Sequence, residues 1–395
     1  MSAEGELLKG SILIEEGKIK GLGQIPDTPV DRIIDGYNHV ALPGLFNAHT
    51  HLSMVYFRNY GLAHATLQEW LTDVWALEEL LQSQDIYSAS LLGIAEMILS
   101  GTTHFRDMYF YPEGTVEAAY EAKIKGTIGL TLFGDITETN RRLQKVPFFR
   151  ELTPPLRWEI APHSIYTCSE ATLRRAIEVA SLEAVPLHIH VSETRQEVEE
   201  ALEKFKMSPV AYLHSLKTHK VKSTLPHCVH LLEGDFPLLQ QFNTTVVHNP
   251  SSNCKLGCGI AEVGKLNALG IPLALGTDGA ASNNALDMFN EIRLAALLAS
   301  LKHPLSPYTL LKMACAGNTL EVGKDADLFL LDLDRPHLSP LNDLFSALVF
   351  SAKSSDVKYV FCRGELLLDN RALTTIDIER TQASVNNIWK AIKRR

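Results

Sequence analysis

PGLFNAHTHLSM, residues 43–54, is a short apolar run that gives way to two histidines one residue apart, His49 and His51. Alternate residues of a strand point to the same face, so the pair presents two imidazoles side by side. That arrangement suits a metal ion. It suits blander uses equally well, because the chain holds 15 histidines among 395 residues and imidazoles serve as hydrogen-bonding and solvent-facing groups in many settings. What the other strands carry at the same end decides between the two.

Those strands are readable further along the chain. IGLTLFGD (128–135), LRWEIAPH (156–163), PLHIHVSE (186–193), STLPHCVH (223–230), TTVVHNP (244–250) and IPLALGTD (271–278) are short and apolar, and each runs into a polar loop. Most are followed by an amphipathic helical pattern, such as residues 169–183 with Ser169 as N-cap, and residues 284–301. Repeated strand–loop–helix units predict a parallel sheet, and about eight of them a closed barrel. The expected fold is therefore α/β, a (β/α)8 TIM-like barrel spanning residues 43–319. GSILIEEGKIKGLGQ (10–24), DADLFLLDLD (325–334) and VKYVFCRGELLLDN (357–370) alternate apolar and polar residues around Glu-Gly and Arg-Gly turns. Sheets so short are unstable alone, so residues 1–42 and 320–395 are expected to join in a small β-sandwich, the latter adding a terminal helix.

Composition narrows the function. A content of 46% hydrophobic and 21% charged residues fills a core and stays soluble, and the net charge of -9 is dispersed. No basic stripe suits a phosphate backbone, and the C-terminal KAIKRR reads as a solvated helix end, so nucleic acid is excluded as a partner. MSAEGELLKG carries acids and lacks an apolar signal core, and no run of about 18 uncharged apolar residues occurs. A cytoplasmic protein acting on a small molecule, and not on a membrane, is expected. Its six cysteines form no dense framework, and the Cys254-x3-Cys258 pair has no second pair nearby to complete a thiolate site, so all are expected to be reduced.

Nearly every barrel strand ends in a titratable side chain: His49 and His51, Asp107, His163, His188 and His190, His227, His248, Asp278. Catalytic groups of such barrels gather at that edge. Between His188 and His190, the latter is favoured as a ligand because it is nearer the strand end, with Glu193 three residues on; His188 is then a buried hydrogen-bonding residue. Asp278, in ALGTDGAASN, would alone be a turn or N-cap aspartate. Joined to three histidines it completes a three-nitrogen, one-oxygen donor set of the kind that holds a catalytic Zn2+ or Fe2+. LRWEIAPHS supplies no lysine for a metal bridge, so a single ion is expected. Glu193 starts a helix, where the dipole favours any carboxylate, and the four glutamates that follow it are read that way. His230 is read as structural and His248 as a candidate for the pocket wall, although the Asn-Pro turn explains its segment unaided. Trp70 and Trp75 either wall an apolar pocket or simply pack.

Together PGLFNAHTHLSM, APHSIYTCS, HIHVSET, PHCVHL, VVHNPSSNCKLGCGIAEV, LGTDGAASNN and GKDADLFLLDLD resemble the amidohydrolase superfamily, and within it the S-adenosylhomocysteine/5-methylthioadenosine deaminase branch. The likeness runs from about Gly10 to Asn370. It implies one divalent metal ion on His49, His51, His190 and Asp278, zinc first, with iron, nickel and manganese as alternatives. It implies Glu193 as proton shuttle and His227 with Asp278 as the groups that position and deprotonate the water. Glu79 would hold the ribose hydroxyls, His163 the nucleoside, and Arg142 the amino-acid carboxylate of S-adenosylhomocysteine, with Arg141 adjacent. The implied reaction is hydrolytic deamination of an adenine nucleoside (S-adenosylhomocysteine, 5'-methylthioadenosine or adenosine) to the inosine analogue and ammonia, by attack of metal-bound hydroxide at C6. The alternative within the superfamily is a deaminase or chlorohydrolase acting on guanine, a pyrimidine or a substituted triazine; neither a ribose acceptor nor a carboxylate clamp suits a free base. A non-catalytic scaffold would have lost ligands, and all four positions are filled. A homo-oligomer is compatible with this reading. The chain departs from the family pattern in lacking a strand before the first hairpin and in a shortened KMACAGNTLEVGKDADL.

Overall fold

The computed structural model describes residues 7–60 and 67–395, so Met1 and its five successors in the acidic N-terminal stretch lie outside the described residues. β1 (Ser11–Glu15) and β2 (Lys18–Gly23) form the first hairpin. Its two turn residues, Glu16 and Gly17, have φ of 51° and 77°, the left-handed pair that a two-residue turn needs to match strand twist. β3 (His39–Pro43) then leads directly into the barrel.

The barrel strands are β4 (Leu45–Thr50), β5 (Thr102–Tyr109), β6 (Lys125–Leu132), β7 (Leu156–Pro162), β8 (Leu187–His188), β9 (Ser223–Pro226), β10 (Thr244–His248) and β11 (Leu273–Leu275). They pair in chain order and all in parallel. Closure comes just beyond β11, where the Asp278 N–H donates to the His49 carbonyl at 3.0 Å. Only glycine fits at position 276, because a Cβ there would stand 2.8 Å from the His49 nitrogen. That close approach brings the aspartate beside the His-x-His strand.

β12 (Leu328–Asp332), β13 (Val357–Cys362), β14 (Glu365–Asp369) and β15 (Ala372–Leu373) follow, and β3 joins them as the far edge of a five-stranded antiparallel sheet. The hairpin packs on this sheet through Ile19 against Leu320, Ala326 and Leu328, so both termini build the satellite. Lys125, at the start of β6, ties it to the barrel through Asp325 at 2.6 Å and through Asp327. Phe57, Phe105, Phe149 and Phe329 are completely buried in the main core, each contributing roughly 1.5–3 kcal/mol of apolar burial.

Two expectations shift. The helix read at residues 284–301 begins at Met288, with Asp287 as its cap, because Asn284 sits at φ 78° and ends the short helix Ala280–Asn283. The C-terminal helix Ile378–Ile392 returns to the barrel, where Trp389 meets Tyr56 and Phe57, and Arg395 pairs with buried Asp85 at 2.7 Å instead of being merely solvated. The shortened segment opens in the last turn of helix Pro307–Cys315. No described helix is long and apolar enough to cross a membrane, and none of the six cysteines forms a disulfide.

Candidate metal and substrate site

Three turns deliver the site residues through strained backbone. Ser192, His227, Cys228 and Asp278 all have positive φ, between 46° and 73°. Such backbone costs on the order of 1–3 kcal/mol per residue and persists where surrounding bonds hold it. Here Cys228 N–H donates to Val191 O at 3.0 Å, and both Val229 and His230 N–H donate to Ser192 O. The effect is to aim His227 and Asp278 into the mouth of the barrel.

At the centre, His51 Nε2 lies 3.1 Å and His49 Nε2 3.4 Å from Asp278 Oδ1, while His190 Nε2 lies 3.2 Å from His49 Nε2. The ligand atoms of His49, His51 and Asp278 form one close group, and those of His49, His190 and His227 another, each within 4.8 Å. The outer nitrogens are engaged: His51 Nδ1–H donates to Met108 O, His190 Nδ1–H to His163 O at 2.7 Å, and His227 Nδ1–H to Asn253 Oδ1 at 2.8 Å. In the neutral rings the inner nitrogens therefore point lone pairs at one another, which repel unless a cation lies between them, either a metal ion or, in its place, a proton on His51. A tetrahedral zinc site has donor–donor edges of about 3.3–3.5 Å, close to the separations found. Charge agrees with this. Burial opposes charging His51, yet the Asp278 carboxylate outweighs it and lifts the ring to about 9. Burial likewise opposes the Asp278 anion, but His49 and His51 hold it well below the usual carboxylate range. The donor set fits a divalent metal.

Asp278 is itself fixed. Its Oδ2 accepts from Ser252 Oγ at 2.6 Å and Ser282 Oγ at 3.0 Å, and its Oδ1 accepts from Gly279 N–H at 2.8 Å. Neither serine was singled out in the sequence, although NPSS and TDGAAS place hydroxyls near strand ends. His188 takes the role expected of it, buried, with its Nε2 2.9 Å from His49 Nδ1.

The cluster floors an open cleft at the mouth of the barrel. Trp70, Trp75, Phe110, Phe133, Met54 and Leu256 line it, so both tryptophans wall the pocket. Glu193 and His163 also face it. Glu193 is buried, its Oε1 3.8 Å from His227 Nδ1 and 3.6 Å from Cys258 Sγ, and burial raises its carboxyl above the ordinary value. The His163 ring is pushed down to about 3 by burial and then by the neighbouring histidines, so it is neutral.

Several sequence expectations need correction. Glu79 is exposed and off the cleft; its neighbour Glu78 is buried on the cleft wall, accepting the Tyr109 O–H at 2.7 Å. Four-residue spacing explains this, because Trp70, Val74 and Glu78 share the buried face of helix Leu67–Glu78. Burial raises the Glu78 carboxyl to about 7 against the Tyr109 bond. Arg142 is not on the wall: its guanidinium stacks 5.0 Å from the Phe133 ring and pairs with Glu138 at 2.6 Å. Arg141 also pairs with Glu138, fully outside. Glu197, read as one more helix-start carboxylate, is buried and accepts the N–H groups of Ser192 and Glu193 at 3.0 and 2.7 Å, which fixes the Glu193 backbone. Asp107 holds Leu52 N–H at 2.8 Å, and His248 is buried off the wall. His230 donates to Cys258 O, a structural bond as expected.

The sequence profile described as the amidohydrolase family matches residues 40–367. The 5-methylthioadenosine/S-adenosylhomocysteine deaminase of Caldanaerobacter subterraneus subsp. tengcongensis is 40% identical, the match covering 97% of this chain and 94% of that protein. The deaminase of the same description from Pyrococcus furiosus is 40% identical, over 95% of each. Among solved structures, an adenosine deaminase from Xanthomonas campestris with bound zinc superposes with a TM-score of 0.92 at 28% identity, covering 97% of this chain and 94% of that one. A match that starts in the strand before His49 and runs to the second satellite hairpin leaves one conclusion: the chain belongs to the amidohydrolase family.

Proposed function

We propose that this chain hydrolytically deaminates adenine nucleosides, with a 5'-substituted adenosine such as 5'-methylthioadenosine or S-adenosylhomocysteine as its substrate. The observation that carries this reading is a cleft holding a three-nitrogen, one-oxygen cluster, a buried carboxyl group at Glu193, and a second buried carboxyl group at Glu78. The names of the relatives 40% identical over nearly the whole chain support the same substrates.

His49, His51, His190 and Asp278 would hold one divalent ion, zinc being the natural occupant of such a donor set. Bound there, the ion makes water a nucleophile at neutral pH by lowering its pKa from 15.7 to about 7. The protein's own groups do the rest. Glu193 holds a proton for N1 of the purine, which draws electron density from C6 as the C6–O bond forms. Asp278 takes the proton released by the water, and His227, held by Asn253, orients the attacking oxygen. That proton passes to the departing N6 as the C6–N6 bond breaks, and the oxygen at C6 returns its own proton to Glu193 as it becomes the carbonyl, so one water is consumed, one ammonia leaves and both carboxyl groups are restored. Glu78, with one oxygen on Tyr109, offers the other to the ribose hydroxyls, and neutral His163 meets the base.

Kinetics on the two adjacent glutamates test the ribose assignment. Glu78→Gln is expected to raise KM for adenine nucleosides by roughly ten- to hundredfold, the worth of a hydrogen bond to a charged group, while Glu79→Ala leaves KM near wild type. Equal effects from the two, or none from Glu78, would remove the sugar from the reading.

A further inference from the structure

Three of the four clustered histidines have their outer nitrogen against an oxygen that can only accept, at Met108 O, His163 O and Asn253 Oδ1. His49 differs. Its Nδ1 faces another imidazole, His188 Nε2, at 2.9 Å, and a ring nitrogen can donate or accept. The direction of that bond is settled one residue deeper. His188 Nδ1 lies 2.7 Å from Glu159 Oε1, and both side chains are wholly buried on β7 and β8. Glu159 is anchored in turn by Arg106, whose Nε stands 3.3 Å from Oε2, and which also donates to Thr224 and covers the Phe46 ring.

We propose that Glu159 and His188 are positioning residues for the metal, forming a Glu159–His188–His49 relay that fixes which nitrogen of His49 is bare. The carboxylate requires the hydrogen of neutral His188 on Nδ1. His188 Nε2 must then accept the His49 Nδ1–H, and His49 Nε2 is left as a lone pair aimed at Asp278 and His190. Were the polarity reversed, His49 would present an N–H to the metal position and could not ligate. Outer partners of this kind orient metal-bound imidazoles in general; here the control lies two residues from the ligand, inside the barrel. The inference rests on the reading of His49 as a ligand.

Glu159→Gln should invert the relay. Arg106 can only donate, so it draws the amide oxygen, which leaves the amide NH2 facing His188 Nδ1 and moves the His188 hydrogen to Nε2. The expected result is a 10–100-fold weaker zinc affinity in a chelator competition on metal-free protein, the usual loss for such partners. A changed visible spectrum of the cobalt-substituted protein should accompany it. In a His188→Gln background the amide oxygen accepts from His49 unaided, so adding Glu159→Gln should change zinc affinity by less than about threefold, the scatter of uncoupled changes. Independently of any variant, nitrogen-15 histidine spectra of metal-free wild type should show His49 protonated on Nδ1. An unchanged zinc affinity in Glu159→Gln, an equal loss in both backgrounds, or a His49 ring protonated on Nε2 would overturn the relay. His49→Ala separates the two layers, because full zinc affinity in that variant would defeat the ligand assignment itself.

Discussion

Asp278→Ala is expected to remove bound metal and activity together. The carboxylate lies 3.4 Å from His49 and 3.1 Å from His51, and it carries three further hydrogen bonds from Ser252, Ser282 and Gly279. Its loss strips the donor set of its oxygen and of its negative charge at once, leaving lone pairs of neighbouring imidazoles opposed. Asp278→Asn keeps the shape and lets the serine contacts re-form, so it should fold well while still binding metal more weakly. Metal analysis and ammonia release on the same preparations check both variants. An alanine variant with full metal content and full activity would dismantle the site as assigned.

Glu193→Gln should act differently. This side chain stands beside His227 and Cys258 and is not in either ligand group, so metal content should stay at the wild-type level. A placed proton donor contributes typically ~10^2 to 10^4-fold, and kcat should fall by that order while KM changes little. Burial raises the Glu193 carboxyl, so the protonated form needed at N1 is populated at higher pH than for an exposed glutamate. A variant that loses its metal along with kcat would point to a structural role for Glu193 instead.

The periodic features of the fold were legible in the sequence because strand and helix patterns repeat with short spacing. Six apolar runs gave barrel strands, and the Glu-Gly and Arg-Gly turns gave hairpins with both central residues at positive φ. The His-x-His, HxxE and TDGAAS segments were legible too, since each packs its chemistry within six residues of one strand end, and the structure gathers His49, His51, His190, His227 and Asp278 at one point. Residues that act on the site from outside those segments were harder. Glu78 closes the buried helix face set by Trp70 and Val74, while Glu79 is the first residue past the helix end and turns outward. Glu197 looked like its exposed neighbours until the turn at Ser192 folded its backbone N–H groups onto it. Arg142 and Arg141 offered two adjacent cations, but Glu138 at the start of the same helix pairs with both and holds them off the cleft wall. Glu159 carries no local signal, since a carboxylate in mid-strand becomes meaningful only when β7 and β8 lie side by side.

Ammonia release by purified protein, with metal analysis of the same sample, tests the central claim most directly. The assay runs across 5'-methylthioadenosine, S-adenosylhomocysteine, adenosine, free adenine and guanine. Deamination of the nucleosides, none of the free bases, and about one divalent ion per chain are the predicted result, since the two ligand groups found among the described residues share His49. Protein carrying that ion which released no ammonia from any of the three nucleosides, while deaminating guanine, would contradict it.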